Sequence, residues 1–137
     1  GKGLFAVTQH IPPYELPDQE YPFILNTGRV LYHWHGGELT RRAEGLMSVY
    51  NRSLVEINPE DAHKLRLKLR DHVRITSRRG SIEAEAWVTD RVPPGMVYAN
   101  FHFPETPTNE LTVAALDPEA KIPEYKICAV KVTPVFD

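Results

Sequence analysis

The sequence predicts a mainly β domain of the α+β class, a small barrel of about six strands with short helices and long loops. Three observations carry this. Short apolar runs recur along the 137 residues, separated by breaks rich in Pro, Gly and Asn. Two of these runs alternate apolar and polar residues on either side of a turn signal. One stretch opens with a strong helix start, and the helix it begins is short. With 42% hydrophobic and 25% charged residues, the chain has the composition of a globular domain that needs no staples.

Residues 1–20 carry Ile11-Pro12-Pro13 and Leu16-Pro17-Asp18 without a sustained period, and read as an extended lead-in or linker. The domain proper is expected over residues 21–137. Phe23-Ile24-Leu25 is a short apolar strand that breaks at once into small, cationic and ring-bearing residues. Residues 28–53 read mostly as a long loop with a helical turn, and a loop of that length inside a compact domain is usually functional or disordered. Leu54-Val55-Glu56-Ile57 is a strand. Asn58-Pro59-Glu60-Asp61 then starts a helix: Asn caps, Pro takes the first helical position, and acids sit in the positive first turn. The helix is expected to run from Pro59 to about Arg66, with Ala62 and Leu65 inward.

His72 to Ser77 places Val73 and Ile75 on one face and Arg74 and Thr76 on the other. Ile82, Ala84, Ala86 and Val88 alternate with Glu83, Glu85, Trp87 and Thr89. Arg79-Gly80 joins the two runs into a hairpin in which Gly80 is expected at a left-handed turn position. Val92-Pro93-Pro94-Gly95 is a second turn, and Met96 to Phe101 another strand. Residues 104–124 are irregular, and Ile127 to Val132 form a buried closing strand.

A net charge of −2 argues against a generic nucleic-acid or membrane-surface binder. The basic cluster from Lys64 to Arg79 reads as a solvated helix face and a hairpin edge that discourages edge-to-edge pairing. The lone Cys128 excludes an intramolecular disulfide framework, fits a reducing, cytoplasmic setting, and in an apolar strand behaves as an inert small hydrophobe. No run approaches the roughly 20 apolar residues of a membrane span, and no signal-peptide pattern is present. The first residue is Gly rather than Met, which reads as a piece excised from a longer chain. There is no Gly-x-Ser-x-Gly elbow, phosphate-binding loop with Lys, or Gly-x-Gly-x-x-Gly.

The chemistry-bearing stretch is Asn26 to Gly37, followed by Thr40-Arg41-Arg42. Thr27 and bare backbone N–H groups donate hydrogen bonds, Gly28 admits a ligand close to the main chain, and Arg29 clamps phosphate or a planar ring edge. Tyr32, Trp34, Arg41 and Arg42 nearby suit a nucleotide-like ligand. The competing reading is a strand end whose Arg is merely solvated. His33 and His35, at i and i+2 on an extended segment, point to one side and invite a metal, with His102, His63 or Glu38 as a third ligand. A hydrogen-bonding role and plain packing are the alternatives, and a metal-dependent hydrolase on His33, His35 and His102 is the enzyme they would build. Glu105, Asn109 and Glu110 form either a polar-ligand loop or an ordinary acidic one, and Tyr125-Lys126 reads as the amphipathic start of a strand.

The Asn26–Arg42 stretch, Val55 to Ala62, Ser77-Arg78-Arg79-Gly80, Val88 to Arg91, Asn109-Glu110-Leu111-Thr112, Ala115 to Pro118 and Lys121 to Val130 together resemble one family. It is the C-terminal domain of molybdopterin-dependent oxidoreductases, in particular the alpha subunit of formate dehydrogenases. The likeness runs from about Tyr21 to Val135. It implies a six-stranded double-psi β-barrel that binds bis-(molybdopterin guanine dinucleotide) carrying molybdenum or tungsten. It further implies cofactor contacts at Thr27, Gly28, Arg29, Tyr32, His33, His35, Asn109, Tyr125 and Lys126, with His35 at a position that varies between Ser and His. The family's cysteine or selenocysteine metal ligand, its iron–sulfur cluster ligands and its catalytic His-Arg pair belong to other domains. The implied partners are therefore the remaining domains of a parent alpha subunit, with formate as the parent's substrate, and this domain alone is expected to be inactive. A standalone barrel subunit of a related molybdenum or tungsten complex is the alternative, and the reading frame upstream of Gly1 discriminates.

Overall fold

The structure, a computed structural model, describes residues 1–135. Its strands are β1 (Phe23–Gly28), β2 (Leu54–Ile57), β3 (His72–Thr76), β4 (Ser81–Val88), β5 (Met96–Asn100) and β6 (Ile127–Pro134). They close into a barrel in the order β1-β5-β2-β4-β3-β6. Two short helices, α1 (Glu44–Val49) and α2 (Pro59–Lys64), lie in the connections, with 3-10 turns at Thr40–Arg42 and Thr108–Leu111.

The order explains the double-psi pattern. β1 and β2 are consecutive, yet β5 lies between them, parallel to β1 and antiparallel to β2. β4 and β5 are also consecutive, and β2 lies between them, parallel to β4. Each of these two crossings straddles a strand of the other, so the halves interlock. Closure satisfies the ladder hydrogen bonds all round and leaves no edge. The expectation that basic residues guard a hairpin edge is thereby corrected, since β3 pairs with β4 on one side and β6 on the other.

Alternation decides which residues fill the barrel. Leu25, Val55, Ile57, Val73, Ile75, Val97 and Val130 are fully buried, and Ala84, Ala86 and Ala99 keep the interior narrow enough to pack. Leu111, on the second 3-10 turn, closes the core from outside the ladder. Cys128 is buried here with its thiol facing the Leu111 carbonyl at 3.3 Å, and burial pushes that thiol up to about 11.

The helix start behaves as its residues dictate. Asn58 caps α2 by accepting from the Glu60 N–H at 2.9 Å, with Pro59 at the first helical position. The β3–β4 hairpin differs from expectation. The ladder ends at Thr76↔Ser81, the Ser77 N–H donates to the Gly80 carbonyl at 2.9 Å, and Gly80 does not take a positive φ. Ser77 and Gly80 form the closing pair, so Arg78 and Arg79 take the centre of the turn and Gly80 lies beside it. The left-handed glycines are Gly37 (φ +81°) and Gly95 (φ +79°), the latter completing the Pro93–Met96 turn.

Residues 1–22 hold no regular element, but the last part of this lead-in is pinned to the barrel. Glu15 accepts from Arg78, from Arg79 and from the Ala129 N–H, while Asp18 pairs with Arg78. Burial works against charge on Glu15, but Arg79, the Ala129 N–H and Arg78 outweigh it and hold the carboxyl at about 2. The hairpin arginines are thus clasps as well as a solvated face.

Candidate functional site

One end of the barrel gathers residues that lie far apart in sequence. β1 and β5 are parallel neighbours with Gly28 opposite Asn100, so the loops beginning at residues 29 and 101 emerge side by side. β6 runs antiparallel to β1 with Ile127 opposite Asn26, so the segment entering β6 arrives at the same end. Thr27 ties this segment down: its hydroxyl donates to the Tyr125 carbonyl at 2.6 Å and its N–H to the Lys126 carbonyl at 3.0 Å. The Lys126 ammonium sits 5.4 Å from the Phe101 ring centre and 5.2 Å from that of Tyr125. Phe101 also lines a cleft of about 420 Å³ with Gly36, Glu38, Arg41, Pro107 and Asn109.

The sequence-predicted residues divide into two kinds. Thr27 and His33 are buried, at 1% and 3% exposure, and their polar atoms are engaged inside the protein. The His33 Nε2–H donates to the Tyr50 carbonyl at 2.7 Å, leaving Nδ1 to accept from the Thr40 hydroxyl at 3.0 Å. Arg29, Tyr32, His35, Asn109, Tyr125 and Lys126 instead present their side chains at the surface of this end. Gly28 is required by close approach: a methyl there would come within 2.7 Å of the Tyr98 hydroxyl. That hydroxyl donates to the Arg29 carbonyl at 2.7 Å and so fixes where the Arg29 side chain starts.

The paired-histidine expectation is corrected. The chain over Leu31–Gly37 folds into turns rather than an extended run, and His35 takes a positive φ of 47°. His33 therefore turns inward and His35 outward, and the two do not face one site. Among the described residues no group of three His, Cys, Asp or Glu side chains is placed to hold a metal ion. The metal-hydrolase reading has no structural support, because the ring nitrogens of His33 and His102 already face internal partners.

The sequence reading missed Tyr50 altogether and missed what His102, Arg41 and Glu105 do. His102, weighed there only as a metal ligand, is fully buried and bonds the loop after β1 at two points. Tyr50, pushed up to about 12 by burial, stacks on Tyr32 at 6.3 Å and takes the Asn100 amide at 3.1 Å. Arg41 pairs with Glu105 at 2.5 Å and lies over the Phe103 ring. Composition at Phe101-His102-Phe103 offered a faint signal, a polar ring between two aromatics directly after a strand. Arg29 and Lys126 have no carboxylate partner among the described residues, so this end presents two uncompensated cations.

Comparison with known proteins bears on what such an end holds. Residues 23–129 match the family model described as the molydopterin dinucleotide binding domain. The chain is 47% identical over 132 residues to the F420-dependent formate dehydrogenase 2 subunit alpha of Methanococcus maripaludis. It is 46% identical over 132 residues to the F420-dependent formate dehydrogenase subunit alpha of Methanocaldococcus jannaschii. Each match covers 96% of this chain and 20% of the relative, so the chain spans about a fifth of those relatives' length. A nitrate reductase of Symbiobacterium thermophilum is 42% identical over 136 residues, covering 96% of this chain and 18% of that protein. Among solved structures, acetylene hydratase from Pelobacter acetylenicus shares the fold, with a TM-score of 0.70 at 18% identity over 82% of this chain and 18% of that one. The chain belongs to the molydopterin dinucleotide binding domain family.

Proposed function

We propose that the barrel end formed by the loops after β1 and β5 and the segment before β6 holds a molybdopterin dinucleotide in a longer formate dehydrogenase-type oxidoreductase. The observation that carries this reading is the convergence of Gly28–Arg29, Phe101–Asn109 and Tyr125–Lys126 at one end of a barrel of this family. The donor set fits the group. Two unpaired cations suit phosphate, the Asn109 amide and exposed loop N–H groups suit the donor and acceptor edges of a pterin, and Tyr32 and Tyr125 offer flat apolar faces.

In this reading Arg29 and Lys126 contact the anionic part of the ligand, and Tyr32, His35, Asn109 and Tyr125 its ring system. Gly28 leaves room for the Tyr98 hydroxyl, which holds the Arg29 backbone in place. Thr27 and His33 work one layer down: the first anchors Tyr125-Lys126, the second anchors the loop carrying Tyr32 and His35. When bound, the cofactor supplies two-electron chemistry at a molybdenum or tungsten centre. The chain's own part is to orient it and keep it in place. This reading assigns iron–sulfur centres, the metal's protein ligand and formate binding to the remaining domains of a cytoplasmic enzyme; the identity to formate dehydrogenase alpha subunits, of which this chain spans about a fifth, supports the longer chain and formate as its substrate.

The test is a titration of this chain with the pterin dinucleotide extracted from a molybdenum enzyme, read by quenching of pterin fluorescence. Saturable quenching is expected, weakened roughly tenfold by Arg29→Ala or Lys126→Ala, the loss of one charge-assisted hydrogen bond each. No saturation, or saturation indifferent to both substitutions, contradicts the reading.

A further inference from the structure

His102 lies just past the end of β5, the strand that the β1–β2 crossing straddles. Its ring is fully buried. Nε2 faces the Val30 N–H at 2.9 Å, and Nδ1 faces the His35 carbonyl. A backbone N–H only donates and a carbonyl only accepts, so both bonds exist together in one state alone: neutral imidazole, protonated on Nδ1 and bare on Nε2. The two contacts fall on either side of the turns carrying Tyr32 and His33, so one ring fixes both feet of that loop.

The other half of the barrel repeats the device with a different residue. Asn58 follows β2, the strand straddled by the β4–β5 crossing, and its amide donates to the Val92 carbonyl of that crossing at 2.8 Å. An amide that caps a helix and grips one carbonyl suffices for a short turn. A loop that must be held at a donor and at an acceptor, several residues apart, needs a longer group with both functions.

We infer that His102 is the positioning residue of the ligand-gripping loop, a neutral Nδ1–H imidazole that staples Val30 and His35 to the end of β5. The inference rests on the reading of this loop as the cofactor grip, but its structural half is testable without any ligand. The groups facing the ring agree with a neutral state. Burial lowers its pKa, the His33 ring (centroid 5.5 Å away) and Arg29 disfavour charge, and the His35 carbonyl and Glu38 favour it without reversing the balance. From the neighbouring elements, Arg41 and Phe103 complete the surroundings, and Arg41 is neutralised by Glu105.

The experiment has two parts on the whole 137-residue chain. Imidazole nitrogen NMR is expected to show His102 protonated on Nδ1 only, and hydrogen exchange to show the Val30 amide protected. The opposite tautomer, a doubly protonated ring at neutral pH, or a Val30 amide exchanging as fast as a free loop overturns the inference. Two variants then separate the bonds. His102→Gln places an acceptor near the Nε2 position and is expected to retain Val30 protection. His102→Asn places a donor near Nδ1 and is expected to lose it. Each is expected to bind the extracted dinucleotide roughly tenfold more weakly than the parent chain. Unchanged affinity in both overturns the positioning role. A parent chain with the predicted tautomer and protection but no dinucleotide binding sinks the cofactor reading instead, and leaves the staple standing.

Discussion

The two crossings of this barrel solve one topological problem with very different amounts of chain. From β4 to β5, residues 89–95 suffice: Pro93-Pro94-Gly95 turns the chain, and Asn58 and Asp61 hold it from α2 at the Val92 carbonyl and the Gly95 N–H. From β1 to β2, residues 29–53 make the equivalent passage with a 3-10 turn, a helix and a buried histidine, His33. Since the short passage closes the fold, the extra chain in the long one is not there for closure. Its surface carries cationic and aromatic groups, and its underside carries the polar groups that hold it in shape. In the proposed reading the short crossing serves stability and the long one serves a ligand.

Substitutions at the two crossings are expected to separate along that line. The largest stability effect belongs to the short crossing. Asn58→Ala removes the α2 cap and leaves the Val92 carbonyl short of a partner, and is expected to lower unfolding stability by about 2 kcal/mol in chemical denaturation. Gly95→Ala forces a side chain into a positive φ and is expected to cost about 1 kcal/mol by the same assay. At the long crossing, Arg29→Ala is expected to change stability by less than about 0.5 kcal/mol while weakening dinucleotide binding. If Arg29→Ala destabilised the barrel as much as Asn58→Ala does, the division of labour would be wrong.

A smaller effect concerns the clasp on the lead-in. The Glu15 carboxyl is held at about 2 in the folded chain, below the ordinary 4.5. The folded state therefore binds fewer protons than the unfolded one in this window. The stability from the clasp is complete above the ordinary value and is lost as pH falls toward about 2. Glu15→Gln is expected to flatten the acid limb of the stability–pH profile between those values, and an unchanged limb contradicts the assignment.

Local chemistry was legible in the sequence where it was locally decided. The alternation in β3 and β4, the Asn58-Pro59 helix start and the Val92–Gly95 turn each depend on residues adjacent in the chain. Long-range placement was not. Nothing near Thr27 says that its hydroxyl will tie down Tyr125, nor near Glu15 that two hairpin arginines will clasp it. The histidines misled because an i, i+2 spacing places side chains together only in extended backbone, and this stretch turns at His35. Gly80 misled because the turn centres on Arg78-Arg79, which leaves Gly80 paired with Ser77 outside it. The family resemblance supplied Tyr125-Lys126, which local pattern would have passed over.

The most direct test of the division between crossings is amide shift mapping of the 137-residue chain with the extracted pterin dinucleotide. The account predicts shifts at residues 28–37, 101–109 and 124–127 and none at residues 89–95. Shifts centred on 89–95, or a ligand that binds while leaving residues 28–37 unmoved, would contradict it.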